Sequence, residues 1–414
     1  MSTVKYWVWL SCLPGLPSRT LPSLLEHFGD PMEVYFAAGG EYARVAGLRE
    51  RDAAILAGKS LDRADNILQI CREKDIRIMT MQDADYPRRL THIYDPPAVL
   101  YVRGRLPVLD EEAAIAVVGT RRVSPYGVKM GLRMGYEITK GGGLIISGLA
   151  AGVDTAAAKG ALNAGGACVG VLGSAIDVYY PRANERLIED VVTLGALISE
   201  YPPGYPTRPE NFPRRNRILS GLSVGVTVIE APTRSGALIT ADLALEQGKE
   251  LFVVPGNVDS PNCEGSNALL RDCAKAVSGG WDVLCEFESL FPHRIRPQEG
   301  RTAHLPPERQ EHLMRVADAE MPTEEEAPAQ DVTKKGIDTE NTRAYIVVED
   351  LIADLSEEQR RIVSAMTEPE LHIDEIIVRT GLPAATVLPA LTMLTIQGHV
   401  TPGAGMRFTL NIVK

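Results

Sequence analysis

Between residues 114 and 254 short apolar runs alternate with longer stretches whose apolar positions recur at helical spacing. The runs fall at 114–118, 144–147, 168–172, 196–199, 225–230 and 251–254, and most are separated by 12–25 residues. Each run is apolar at odd and even positions alike. Strands of a sheet covered on both faces have that pattern, whereas a half-solvated strand alternates. The alternation therefore predicts a doubly wound, mostly parallel, Rossmann-like α/β sheet over residues 81–292. Ligands of such sheets lie at the carboxyl ends of the strands.

Small residues and arginines collect at those ends. Gly119-Thr120-Arg121-Arg122 follows the first run, and Ser147-Gly148 opens the segment after the second. Arg182 comes after the third, and Ser235-Gly236 after the fifth. Small residues let backbone N–H groups approach an anion, and helix N-termini favour negative charge. Glycines that merely turn tight corners would explain any one loop. Repetition along one sheet edge, with arginines among them, points instead to a phosphate-binding crevice.

The sharpest cluster lies at 209–217. Four arginines stand against one glutamate over residues 208–217. Guanidinium forks suit phosphates and stack on planar bases. Phe212 beside Arg214, Arg215, Asn216 and Arg217 supplies an aromatic among cations, the ingredients of a single-strand platform. No G-x-G-x-x-G occurs, so a dinucleotide cofactor is not expected. Gly58-Lys59-Ser60 lacks the earlier glycine of a Walker A loop. H-E-x-x-H and a serine-hydrolase elbow are also absent, and no metal site or catalytic residue emerges.

Composition adjusts this picture. Of 414 residues, 43 are Lys or Arg and 54 are Asp or Glu, a net charge of −11. That total argues against a protein wrapped in nucleic acid. The charge is uneven, however: residues 296–354 hold 7 basic and 14 acidic side chains. With Glu324-Glu325-Glu326 and few large apolar residues, most of 293–354 reads as a flexible acidic linker, with room for a helix within 307–320. None of the six cysteines forms a C-x-x-C pair, which fits reduced thiols in a cytoplasmic protein. No apolar run of about 18 residues predicts a membrane span.

Together these stretches resemble the DNA-processing protein A family, also called Smf. The resemblance rests on Tyr86-Pro87, Asp95-Pro96-Pro97, Val117-Val118-Gly119-Thr120-Arg121 and Ser147-Gly148-Leu149-Ala150 with Gly152 and Asp154. It continues through Tyr180-Pro181 with Asn184, Ser199-Glu200, Phe212-Pro213 with Arg215-Asn216-Arg217, Ser235-Gly236, Pro255-Gly256 and Gly265-Ser266-Asn267. It implies a recombination mediator that binds and protects single-stranded DNA and loads RecA, as in natural transformation. It also implies a homodimer without catalytic activity or cofactor. Carried onto this chain, the strand would meet Gly119, Thr120, Arg121, Arg122, Ser147, Gly148, Lys159, Arg182, Phe212, Arg214, Arg215, Asn216, Arg217, Ser235 and Gly236. Asn267, Leu269, Leu270 and Cys273 would face a second copy or RecA. The chain departs from the family at Ala156-Ala157-Ala158-Lys159, where Ala-His is usual after the aspartate. It departs again at Asp272-Cys273-Ala274, near the expected dimer contact.

The flanks follow their own patterns. In residues 1–80, Leu13-Pro14-Gly15-Leu16 and Val45-Ala46-Gly47-Leu48 suggest a small helical domain of sterile-alpha-motif or helix–hairpin–helix type. Residues 355–414 read as a winged helix: helices from Ser356 to Met366, His372 to Thr380 and Ala384 to Gln397, then a wing from Val400 to Ile412. Leu388, Leu391 and Leu394 would face inward. The last helix carries no Lys or Arg, which argues for protein contact over duplex reading. Two rivals remain. One is a nucleoside monophosphate phosphoribohydrolase, suggested by 235–240. The other is a transcription regulator, read from the winged helix alone.

Overall fold

In the computed structural model, residues 3–17, 20–303, 370–396, 400–402 and 407–410 are described, together with Gln359, Arg361, Ile362 and Ala365. The chain divides into two compact units, 1–325 and 326–414.

The first unit opens with five helices: α1 (Val4–Ser11), α2 (Leu21–Phe28), α3 (Pro31–Phe36), α4 (Glu50–Leu56) and α5 (Asp62–Glu73). α1 is not amphipathic. Tyr6 through Leu10 are all buried, so it is packed on every side. Asp30 caps α3 by accepting from the N–H groups of Met32 and Glu33 at 2.7 and 3.0 Å. Lys59 lies under three rings, about 5 Å from the centroids of Trp9, Tyr35 and Tyr42. It donates to the Val34 carbonyl and the Tyr42 hydroxyl. Burial pulls its pKa down to about 8.

The sheet elements follow in chain order: β1 (Arg77–Thr80), α6 (Arg88–Thr91), β2 (Val99–Gly104), β3 (Ala114–Val118), α7 (Pro125–Lys140), β4 (Leu144–Ser147), α8 (Val153–Asn163), β5 (Cys168–Leu172), α9 (Glu185–Leu194) and β6 (Ala196–Ser199). Then come α10 (Asn211–Leu222), β7 (Gly225–Val228), α11 (Gly236–Glu246), β8 (Glu250–Val253), α12 (Glu264–Asp272), β9 (Lys275–Ala276), α13 (Gly280–Leu284) and α14 (Pro297–Thr302). The nine strands stand in the order β1-β2-β6-β5-β4-β3-β7-β8-β9. From β6 to β9 every pairing is parallel, while β1 and β2 attach antiparallel.

The six apolar runs of the sequence are six of these strands, with 225–230 and 251–254 ending earlier at Val228 and Val253. Successive residues of β3 explain the two-faced apolar pattern. Ile115 and Val117 enter one core with α7, α8, α9 and α13, and the N-terminal helices join that same core. Ala114, Ala116 and Val118 enter the other, with α6, α10 and α11. Residues 293–302 are also packed: Ile295 is buried, and Gly300 of α14 lies against Trp281. The segment expected to open the linker at 293 therefore packs on the body as far as Gly300. The possible helix at 307–320 and the rest of the expected linker lie outside the described residues.

The second unit contains β10 (Glu370–His372), α15 (Ile373–Thr380), α16 (Ala384–Ile396), β11 (Val400–Pro402) and β12 (Arg407–Leu410). Its sheet runs β10-β12-β11, all antiparallel. Ile362, Leu371, Ile376, Val387, Leu391 and Leu394 form its core, with Leu391 and Leu394 inward as expected. His372 is the N-cap of α15 rather than its first residue, accepting from the Asp374 N–H. Gly381, at φ +64°, ends that helix. The side chain of Leu388, most of the helix expected at 356–366 and the wing turn at 403–406 lie outside the described residues.

Candidate nucleic-acid interface

β3 and β7 are neighbours, yet α7 follows β3 onto one face and α11 follows β7 onto the other. The connections diverge at this switch point and leave a crevice. The Thr120 N–H donates to the Glu230 carbonyl at 2.7 Å, joining the two loops. Glu230, 1% exposed, accepts from the backbone N–H of Ser124 at 3.0 Å and from its hydroxyl. Ser124 in turn caps α7 through the Gly127 N–H. A buried acid thus fixes the start of α7 beneath the crevice.

The loop after β4 is built around Asp154. The N–H groups of Gly148 and Ala150 are directed to its carboxylate. The Ser147 hydroxyl accepts from Leu149 and donates to the Asp154 carbonyl, both at 3.1 Å. Asn184 donates to the Leu149 carbonyl and to Thr155. Gly152, at φ +85°, brings this loop back to back with the β3 loop; a Cβ there would lie 2.3 Å from the Thr120 carbonyl oxygen. The Gly148 N–H, expected to face an anion, is directed here to a buried carboxylate. Burial pushes Asp154 up to about 6, even against the stabilising Arg215 and the two N–H groups.

Helical geometry sorts the arginines of α10. Arg214 and Arg217 lie three residues apart on one side of the helix, and Arg215 turns away from them. Arg215, 5% exposed, reaches under the Gly148 loop and donates to the carbonyls of Gly148, at 3.0 Å, and Val171. Burial lowers its pKa to about 10, with Asp154 opposing the shift. Arg217, 6% exposed, pairs with Glu200 at 2.7 Å and Asp95 at 3.4 Å. Burial alone would lower its pKa; the two acids override that and raise it. Arg214 reaches the same acids at 3.5–3.6 Å but keeps an exposed edge. Arg215 and Arg217 are therefore struts inside the body, not surface contacts as expected.

The remaining expected residues divide in the same way. Arg121, Arg122 and Arg182 are exposed on the loops after β3 and β5. Phe212 is not an open platform. Its ring lies against Gly173, where a Cβ would approach within 2.6 Å. It packs beside Tyr180 at 4.9 Å and under the Arg121 guanidinium at 5.6 Å. Thr120 and Ser147 are buried. Asn216 accepts from Arg215 and donates to the Gly236 carbonyl, tying α10 to the start of α11. Ser235 caps that start, and Gly236 is exposed. Lys159 is half-buried, six residues and so about 9 Å along α8 from the loop.

Asn267 brackets the Gly256 backbone, Leu269 and Leu270 pack partly on the second core, and Cys273 is exposed. Sequence reasoning gave no role to Asp95, Asp154, Glu200 or Tyr180, although all four lie in the stretches that carry the resemblance. Acids within those stretches were the available signal. Among the described residues, no cluster of His, Cys, Asp and Glu could hold a metal. No helix among them is long and apolar enough to cross a membrane.

Comparison with known proteins agrees with this architecture. A family model described as DNA recombination-mediator protein A matches residues 77–288, and one described as DprA winged helix domain matches 349–406. Protein Smf of Synechocystis is 30% identical over 98% of both chains. DNA processing protein DprA of Bacillus subtilis is 39% identical over 56% of this chain and 77% of its own. The solved structure of DNA processing protein A from Streptococcus pneumoniae superposes with a TM-score of 0.61. It is 34% identical and covers 69% of this chain and 98% of its own.

Proposed function

The chain belongs to the DNA recombination-mediator protein A family, and from that premise we propose that its α/β body grips single-stranded DNA and delivers it to the RecA recombinase. The observation that carries this reading is the set of exposed cations on the strand-end loops. Arg121 and Arg122 border the β3–β7 crevice, Arg182 follows β5, and Arg214 shows one edge on α10. These four contact successive phosphates. Phe212 holds the Arg121 guanidinium in place, and Arg215 and Arg217 keep α10 and the Gly148 loop rigid beneath the strand. The protein acts in the cytoplasm as a homodimer through the 267–273 region, and its task is to hold and hand over rather than to catalyse.

Four phosphates neutralised on a single strand give a salt slope of about −3. Fluorescence anisotropy of a labelled oligonucleotide at rising salt tests the grip. Arg121→Ala, Arg122→Ala and Arg182→Ala together should flatten the slope by about 2 and weaken binding. An unchanged slope and affinity would sink the reading. Delivery is tested by RecA filament formation on strands already coated by single-strand-binding protein, with and without this chain. No gain in filament formation would remove delivery while leaving the grip.

A further inference from the structure

A cavity of about 520 Å³ lies between the loop that follows α1 and the segment from β6 into α10, sharing only Arg214 with the proposed strand contacts. Leucines and prolines of residues 13–17 form one wall. The opposite wall holds Tyr201 and Tyr205, whose rings lie 4.9 Å apart and 30° from parallel. Arg63, Arg208 and Arg214 line it against one acid, Glu200. The size is that of a small-ligand site.

Two of its lining residues carry orphaned polar atoms. Glu200 spends Oε1 on Arg217 and Arg214, while its buried Oε2 has no hydrogen-bond partner among the described residues. The Tyr201 hydroxyl, on a side chain 6% exposed, has none either. Burial raises the pKa of that phenol, so it stays protonated. Both atoms lie behind the cavity wall rather than on it.

We propose that this cavity binds one 5′-nucleotide. The ring lies against the Tyr201–Tyr205 pair. The phosphate meets Arg63 and Arg208, which are exposed at the cavity edge. Arg214 is already held by Glu200 and Asp95 and Arg208 lies 3.8 Å from Glu210, so Arg63 and Arg208 are the two cations that would meet a phosphate monoester, which carries about −1.5 to −2. Fused apolar and cationic walls suit a nucleotide better than a bare phosphate or an apolar molecule. The nucleotide is either free or the 5′-phosphorylated end of a strand. This inference does not rest on the crevice reading.

Calorimetric titration of the full chain with adenosine and guanosine 5′-monophosphates tests it, with the unphosphorylated nucleosides alongside. Saturable binding that needs the phosphate is expected. Arg63→Ala with Arg208→Ala should weaken it about 100-fold, near tenfold for each charge-assisted contact. Both side chains are exposed, so the variant should fold, which its thermal melt checks. Arg121→Ala with Arg122→Ala should leave nucleotide binding unchanged, so the two sites fail independently. Competition by 5′-phosphorylated but not 5′-hydroxyl oligonucleotides would assign the site to strand ends. The proposal is overturned if neither a mononucleotide nor a phosphorylated end binds, or if the Arg63 and Arg208 variant binds equally well.

Discussion

Arg215→Ala separates a strut from a contact. The substitution removes the guanidinium that holds the Gly148 and Val171 carbonyls and leaves the buried Asp154 with the weaker influence of Arg121 alone. Breaking a buried charged pair from one side typically costs about 3–5 kcal/mol, since the other charge stays desolvated. Asp154 sits near its own pKa of about 6 and can take up a proton, which places the cost toward the lower end, about 3 kcal/mol. Urea denaturation of the full chain, followed by tryptophan fluorescence from the body, reads this directly. Asp154→Asn in the same background should recover part of the loss, because the stranded charge is gone. The resulting cycle should show a coupling of about 1–3 kcal/mol. A variant less than about 1 kcal/mol weaker that nonetheless loses oligonucleotide binding would refute the argument and restore Arg215 as a phosphate contact.

Asp154 also sets a pH signature. Its folded pKa of about 6 lies above the unfolded value, so its stabilising contribution is full below about 4 and is lost as pH rises through 6. The stability of the parent relative to Asp154→Asn should therefore fall across that window, measured by urea midpoints at pH 4.5–7. Lys59 works in the opposite sense. Its folded pKa of about 8 is below the unfolded one, so stability relative to Lys59→Met should rise between pH 8 and about 10.4; a flat difference would remove the buried-amine account. Gly152→Ala should cost about 2–4 kcal/mol, from left-handed backbone strain and overlap with Thr120. A thermal melt within 1 °C of the parent would contradict that close approach.

The sheet was legible because a strand buried on both faces writes its state into every residue. Ala114–Val118 needs no partner to be recognised. β1 is illegible in the sequence, since Arg77–Thr80 mixes exposed and buried positions and lies outside the rhythm. The arginine cluster shows the other limit. Residues 214, 215 and 217 look alike in the chain, and only helical phase plus Asp95, Asp154 and Glu200 separate them. Asp95 lies 122 residues from Arg217 in the chain, and no local pattern announces that meeting. Phe212 was likewise identifiable as an aromatic among cations, but that Tyr180 and Arg121 already cover it is a tertiary fact.

The core shared by the N-terminal helices and the sheet bears on how the molecule could have been assembled. Trp7, Leu24 and Ile67 belong to the same apolar cluster as Tyr101 and Ile115, and Trp7 is hydrogen-bonded across to Gln82. Neither part carries a finished surface toward the other. A gene fusion that borrowed only residues from 81 onward would inherit a sheet with one raw apolar face. It would have to recruit a new cover before the strand-end loops could hold their shape. Removing the first eighty residues would therefore strip the cover from one face of the sheet beneath the crevice.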